Sequence, residues 1–206
     1  MLYLYFVRHG ETEWNREKRI QGRLDSNLTE TGIRDAYLLS EKLKSVPFKE
    51  VISSPSKRTV HTASILKNHR SIPFRTDERL MEINLGPWQG KTIEEIEKED
   101  PERYHCYRYQ PSLYTCNKGE NFHNVKERLL NFLEDIEKKH NEGNVLIVTH
   151  GMVLKTLQTI CKHLSIDEIW AEPWIEGTSL TIVKTNNGKR ELIVEGDVSH
   201  KKEIMH

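Results

Sequence analysis

The sequence predicts an α/β fold, a three-layer α/β/α domain with a mostly parallel central sheet, and three observations carry that prediction. Short apolar runs bounded by turn residues alternate with stretches of helical periodicity, in the order β-α-β-α-β over residues 2–76. That order predicts a parallel sheet with right-handed crossovers. The runs at residues 2–7 and 145–149 are continuous and rich in β formers, as buried strands are. Both runs lead into the same dipeptide, His9-Gly10 and His150-Gly151, so parallel pairing would bring two histidines to one edge of the sheet. The crevice beyond the carboxyl edge is where such folds bind ligands.

The first strand stops where Arg8, His9 and Gly10 arrive. Residues 10–28 are polar with few periodic apolar positions and are expected to form a loop over the sheet edge. Thr29 then caps a helix whose Ile33, Ala36, Leu39 and Leu43 form one stripe, and Pro47 ends it. A short strand at 50–53, a turn at Ser54-Pro55, a helix from about 56 to 68 and a strand at 72–76 follow. Residues 81–120 break the alternation. Thr92 with Glu95 forms a capping box that opens a short acidic helix. Tyr104, Tyr107, Tyr109, Leu113 and Tyr114 cluster between Pro101 and Gly119. This stretch is expected to be an insertion of short helices and loop, a partial lid within a single domain spanning residues 1–206. A long helix from about 121 to 140 turns Phe122, Val125, Leu129, Phe132 and Ile136 inward. Strand 145–149, helix 151–164 and a hairpin around Asn186-Asn187-Gly188 complete the chain.

At the end of the first strand, Arg8 offers a planar fork of donors suited to an oxyanion, and Gly10 lets backbone approach a ligand. His9 between them can be a nucleophile, a base or a ligand. A lone Arg-His-Gly is common, and the second His-Gly strand end is what raises this one to a candidate site. Other chemistries fail on spacing. The segment from Gly86 to Thr92 resembles a P-loop, but only three residues separate its glycines and no strand precedes it. The positions six residues after the three cysteines are Ser112, Phe122 and Asp167, none of them the arginine a cysteine phosphatase needs. No His-x-His, HExxH or CxxC pattern supports a metal hydrolase, so no metal and no cofactor are expected. The other eight histidines, from His61 to His206, are assigned to helix faces, loops and the tail.

The segments RHGETEWN (8–15), QGRLDSNLTETG (21–32), SSPSKRTVHTA (53–63), LMEINLGPWQG (80–90) and VTHG (148–151), in that order, resemble the histidine phosphatase, or phosphoglycerate-mutase-like, superfamily over nearly the whole chain. GKTIEEI, KGENF and the tail VEGDVSH look most like its small bacterial broad-specificity phosphatase branch. The resemblance implies an acid-type histidine phosphatase that works without a metal through a phosphohistidine. It implies His9 as the phosphorylated residue, with Arg8, Arg58 and His150 as a cationic pocket and Glu82 as proton donor to the leaving alcohol. It implies Asn15 as a phosphate-contacting amide, with Gln21, Gly22 and the Gly151 backbone at the rim. Phosphoryl transfer is mainly positioning and electrostatics, so cationic donors must supply what a metal would. The first turn of the helix carrying Arg58 is expected to add favourable potential. Leu80, Met81, Ile83 and Leu85 surround Glu82 in sequence, so partial burial is expected to raise its pKa toward working pH. His9 is expected to be neutral and His150 the favoured cation of a coupled pair.

The insertion contains Arg103 and Arg108 but no adjacent arginine pair, and its tyrosines suggest an aromatic, apolar wall. That favours hydrolysis of small phosphate monoesters with an apolar part over mutase chemistry. The alternatives are a phosphoglycerate mutase, an α-ribazole-phosphate phosphatase, or a catalytically silent binding module on the same fold.

Composition limits the partners. With 31 basic and 31 acidic residues the net charge is zero, so no basic field calls for nucleic acid or a membrane surface. No apolar stretch is long enough to span a bilayer, and the N-terminus has no signal-peptide pattern. Three cysteines without CxxC spacing suit a reducing compartment, so a cytoplasmic monomer or homodimer is expected.

Overall fold

In the computed structural model, which describes residues 1–186 and 188–202, the chain folds around a six-stranded sheet. The strands are β1 (Leu2–Arg8), β2 (Phe48–Ser53), β3 (Phe74–Thr76), β4 (Gly143–Thr149), β5 (Leu180–Asn186) and β6 (Lys189–Asp197). Their spatial order is β3-β2-β4-β1-β5-β6. β1, β4, β2 and β3 pair in parallel, and β5 and β6 add an antiparallel hairpin beside β1. Asn187, in the expected turn of that hairpin, lies outside the described residues, as does His206.

The helices are α1 (Glu13–Arg16), α2 (Glu30–Lys42), α3 (Lys57–Lys67), α4 (Ile93–Glu99), α5 (Pro101–Tyr109), α6 (Phe122–Lys139) and α7 (Gly151–Lys162). Successive strand residues point to opposite faces, and the core divides accordingly. Val7, Val51, Leu146 and Val148 meet Leu39 and Leu43 of α2 and Ala63 and Leu66 of α3. Leu4, Phe6, Ile52, Val145 and Ile147 meet the inward faces of α6 and α7. The result is a three-layer α/β/α arrangement. Val145 to Val148 of β4 are fully buried, which is why that strand reads as one apolar run.

The insertion of β4 between β1 and β2 is what builds the site. Sequence order alone would make β1 and β2 neighbours. Instead the β1–β4 register pairs Arg8 with Thr149, so the next residues, His9 and His150, leave the sheet side by side. The His9 amide donates to the Thr149 carbonyl at 3.0 Å, continuing the ladder one step past the strand end.

Several expectations change in detail. Residues 10–28 are not all loop, because Thr12 and Asn15 form a reciprocal capping box that opens the single turn α1. β3 is shorter than the expected strand over 72–76; Pro73 accepts from Val51 N but has no N–H to donate to a ladder. Tyr114 is buried with Trp88, Tyr107 and Phe122 in an aromatic cluster, but Tyr109 and Leu113 are 71% and 63% exposed and belong to no wall. His200, assigned with the other histidines to helix faces, loops or the tail, is fully buried. Among the described residues no helix is long and apolar enough to cross a membrane, and the three cysteines are unpaired.

Candidate active site

The carboxyl ends of β1 and β4 open into a cavity of about 230 Å³ lined by Arg8, His9, Asn15, Gln21, Gly22, Arg58, Glu82 and Gly151 among others. Eight of the nine residues singled out from sequence therefore share one surface. The ninth, His150, lies behind it, with its ring centroid 5.4 Å from that of His9.

The hydrogen bonds fix the protonation of both rings. His9 Nδ1 lies 2.8 Å from the Gly10 carbonyl, an acceptor only, so Nδ1 carries a proton; burial and the neighbouring guanidiniums keep the ring neutral, which leaves Nε2 its lone pair. Arg58 Nη2, a donor only, lies 3.1 Å from His150 Nδ1, which must therefore accept. His150 Nε2–H in turn donates to Ser54 Oγ at 2.8 Å. Both imidazoles are thus neutral. Burial, followed by the Arg58 and Arg8 charges, pushes His9 well below the usual imidazole value. Burial and Arg58 do the same to His150. The expectation of a cationic His150 is corrected here: it sits against a buried guanidinium that is already the cation.

Arg58 is 2% exposed, and four protein contacts hold it. Nη1 donates to the Leu24 carbonyl and the Asp25 carboxylate, and Nη2 to the Gly22 carbonyl and His150. Its Nε–H is buried without a partner among the described residues, and so is the Nε–H of Arg8. Arg8 Nη1 donates to the Ile175 carbonyl at 2.6 Å. A buried donor without an acceptor is costly, and two of them on cavity-lining guanidiniums mark a place that an anion would satisfy.

The first turn of α3 does not add its potential to that anion, contrary to expectation. The Lys57 amide, at 2.9 Å, and the Arg58 amide donate to the Asp25 carboxylate, which caps the helix from outside. The helix end facing the cavity is that of α7, where Gly151 lines the space. Glu82 is partly buried beside it, and its carboxylate accepts from the Ile83 amide at 2.9 Å and from the Met152 amide at 3.3 Å. Asn15 spends its side-chain oxygen on the Thr12 cap, leaving Nδ2 as the donor for a ligand. Gln21 Nε2 bonds the Thr12 hydroxyl and so braces that cap. Gly10 serves packing and not a ligand: a Cβ there would lie 2.7 Å from the Gly32 carbonyl oxygen, where α2 presses against the strand end.

Sequence reasoning missed Asp25, although it lies within a motif that was singled out, because nothing local shows that it reaches Arg58 across the loop. It also missed Trp170 and Trp174, which line the far side of the cavity with Tyr104, Tyr107, Lys155 and Arg108. Two of the four tryptophans within five residues, beside Pro173, were the available signal. Arg108 stacks over Trp170 at 4.7 Å from the ring centroid. Lys155 on α7 ties down the connection to β5 through the Ala171 and Pro173 carbonyls.

An imidazole with one free ring nitrogen, two guanidiniums whose buried Nε–H groups are unpaired among the described residues, and a carboxylate define an anion site equipped for nucleophilic attack and proton transfer. The chain belongs to the histidine phosphatase superfamily (branch 1), whose family model matches residues 4–197. It is 31% identical over 171 residues to "Phosphoserine phosphatase 1" of Hydrogenobacter thermophilus, covering 83% of this chain and 81% of that one. It is 35% identical over 161 residues to the "Probable phosphoglycerate mutase GpmB" of Yersinia pestis, covering 76% and 73%. Among solved structures it resembles YhfR of Bacillus stearothermophilus with a TM-score of 0.94 and 45% identity, covering 97% of this chain and 99% of that one.

Proposed function

We propose that this protein is a phosphatase that hydrolyses small phosphate monoesters through a phosphohistidine on His9, with no metal or cofactor. The observation that carries this reading is the His9 ring. Its Nδ1–H is tied to the Gly10 carbonyl, so Nε2 is the nitrogen left for phosphorus, between two guanidiniums with unsatisfied donors. In the first step Nε2 attacks phosphorus and the bond to the ester oxygen breaks. Glu82 gives its proton to the departing alkoxide. Arg8, Arg58 and the Asn15 amide balance the charge on the equatorial oxygens. In the second step the Glu82 carboxylate takes a proton from water, the oxygen attacks phosphorus, and the P–N bond breaks to release phosphate and restore His9.

Residues 81–120 act as a partial lid on the leaving-group side. Tyr104, Tyr107, Trp170 and Trp174 favour esters with an apolar or aromatic part. Arg108 supports a second reading of the substrate. It lines the cavity and makes no ion pair among the described residues, which suits a leaving group carrying a carboxylate, as in phosphoserine. The test is hydrolysis in excess chelator of p-nitrophenyl phosphate, naphthyl phosphate, phosphoserine and 3-phosphoglycerate, with mutase activity followed in parallel. Chelator-resistant phosphate release is expected, fastest for the aromatic esters. Loss of activity in chelator, or phosphoglycerate interconversion faster than hydrolysis, would overturn the proposal.

A further inference from the structure

The connection between α7 and β5 is bonded to the main chain of the reacting residues. The Thr178 amide donates to both the Arg8 carbonyl at 3.1 Å and the His9 carbonyl at 3.3 Å. The Arg8 amide donates to Ser179 O, and the Arg8 guanidinium to Ile175 O. Gly177 lies so close that a Cβ on it would be 3.0 Å from the Glu11 amide nitrogen and 3.5 Å from the His9 carbonyl oxygen. Thr178 holds this contact with φ at +58°, a left-handed backbone that a β-branched residue adopts only when its surroundings impose it.

The surroundings include one imidazole from the far end of the chain. His200 is fully buried, and its Nε2 lies 3.1 Å from Thr178 Oγ1. The Thr178 hydroxyl spends its only proton on the Gly177 carbonyl at 2.7 Å, so it must accept from His200 Nε2–H. His200 Nδ1 is buried with no partner among the described residues, which makes it the unprotonated nitrogen. Asp35 and Lys42 of α2, Asp197 of β6 and the neighbouring Lys201 surround the ring. Lys42 is paired with Asp197, and Lys201 with Asp35 and Glu176. Burial first, then Lys201 and Lys42, pushes His200 down to about 4, consistent with that neutral tautomer.

We infer that His200 is a positioning residue: through the Thr178 hydroxyl it fixes the 175–179 connection, and through that connection the main chain of Arg8 and His9. The inference rests on the phosphohistidine reading. It differs from a purely structural role in requiring that the loss fall on the chemical step, and that only the donated hydrogen bond matters.

The test uses the full chain with His200→Leu, His200→Gln, Thr178→Val, Thr178→Ser and the Leu/Val double variant, assayed on p-nitrophenyl phosphate well below each variant's Tm. His200→Leu and Thr178→Val are expected to lower kcat by about 10- to 100-fold with KM within about twofold, the scale of a misplaced nucleophile. Gln keeps an N–H donor and Ser keeps the hydroxyl, so those two variants should recover most of the loss. The double variant should be no slower than the slower single one, because both break the same link. Wild-type kcat in folded His200→Leu, equal losses for Leu and Gln, or multiplying losses in the double variant would overturn the inference. If His200→Leu does not fold, wild-type kcat in Thr178→Val overturns it. A wild-type enzyme that forms no phosphohistidine refutes the underlying reading. Labelling of every variant at the wild-type rate refutes the positioning role alone.

Discussion

The floor of the cavity and its far wall are built by different means. The floor, His9, Arg58 and His150, is 3% exposed or less. It stands on parallel strand register, main-chain hydrogen bonds and the Asp25 and Ser54 side chains. The wall, Tyr104 and Arg108 of α5 with Trp170 and Trp174, comes from segments some sixty residues apart, joined by Arg108 over the Trp170 ring and by the edge contact of Tyr107 with Trp170. Trp174 is 54% exposed. Floor side chains have one geometry each and are buried beyond adjustment. Wall side chains contribute area that can change without disturbing the floor. On the proposed reading, the chemistry is set at the strand ends and the choice of ester by Tyr104, Arg108, Trp170 and Trp174.

The largest expected effect breaks the floor. His9→Ala should lower kcat/KM by about 10⁴-fold or more, with Tm at pH 7 close to wild type, because His9 stands past the strand end. Turnover near wild type would end the proposed mechanism. Glu82→Gln should lower kcat/KM, which reports phosphohistidine formation, by roughly 10²- to 10⁴-fold for alkyl phosphates, while kcat/KM for p-nitrophenyl phosphate, whose leaving group needs no proton, falls far less. Equal losses on both esters would remove Glu82 from the acid role. Arg58→Gln removes a buried cation from the floor and should cost roughly 10²- to 10³-fold in kcat. If instead only KM rises, Arg58 contributes uniform binding. On the wall, Trp170→Ala should raise KM for naphthyl phosphate about tenfold, the effect of ~1.4 kcal/mol of lost contact, and leave a small alkyl phosphate without a carboxylate nearly unchanged. A comparable fall in kcat on every ester would erase the distinction between floor and wall.

The smallest expected effect sharpens the comparison through pH. The unfolded chain takes up protons on histidine near about 6.5, while His9, His150 and His200 in the folded chain do so only lower. Their contribution to stability is therefore complete above that value and is lost as pH falls below it. Tm should drop between pH 7.5 and pH 5, and a flat profile would contradict buried neutral imidazoles. By the same shift, kcat/KM should show no acid limb of its own near about 6.5 once the ester's second ionisation near about 6 is divided out.

Much of the floor was legible in sequence because it lies at strand ends. Apolar runs closed by His9-Gly10 and His150-Gly151 state both the strand and what leaves it. The helix stripes on α2 and α6 were legible for the same reason, as periodicity is local. What escaped was non-local. Asp25 acts on Arg58 across a loop, and His200 acts on Thr178 from beyond the last strand. Trp170 becomes part of the wall only when the segment after α7 packs on α5, where its indole N–H donates to the Tyr107 carbonyl. The protonation of His150 also escaped, because it depends on which atom of Arg58 reaches it. The exposed Tyr109 shows the converse, since aromatic composition suggests a wall but not which rings face it.

The most direct measurement is rapid acid-free quenching of turnover on a ³²P-labelled phosphate monoester, followed by mapping of protein-bound phosphate. The expected result is label on His9 at Nε2, formed and lost at rates compatible with turnover and missing in His9→Ala. Turnover with no protein-bound phosphate, or with label on Nδ1 or on another residue, would contradict the assignment that the Gly10 hydrogen bond makes.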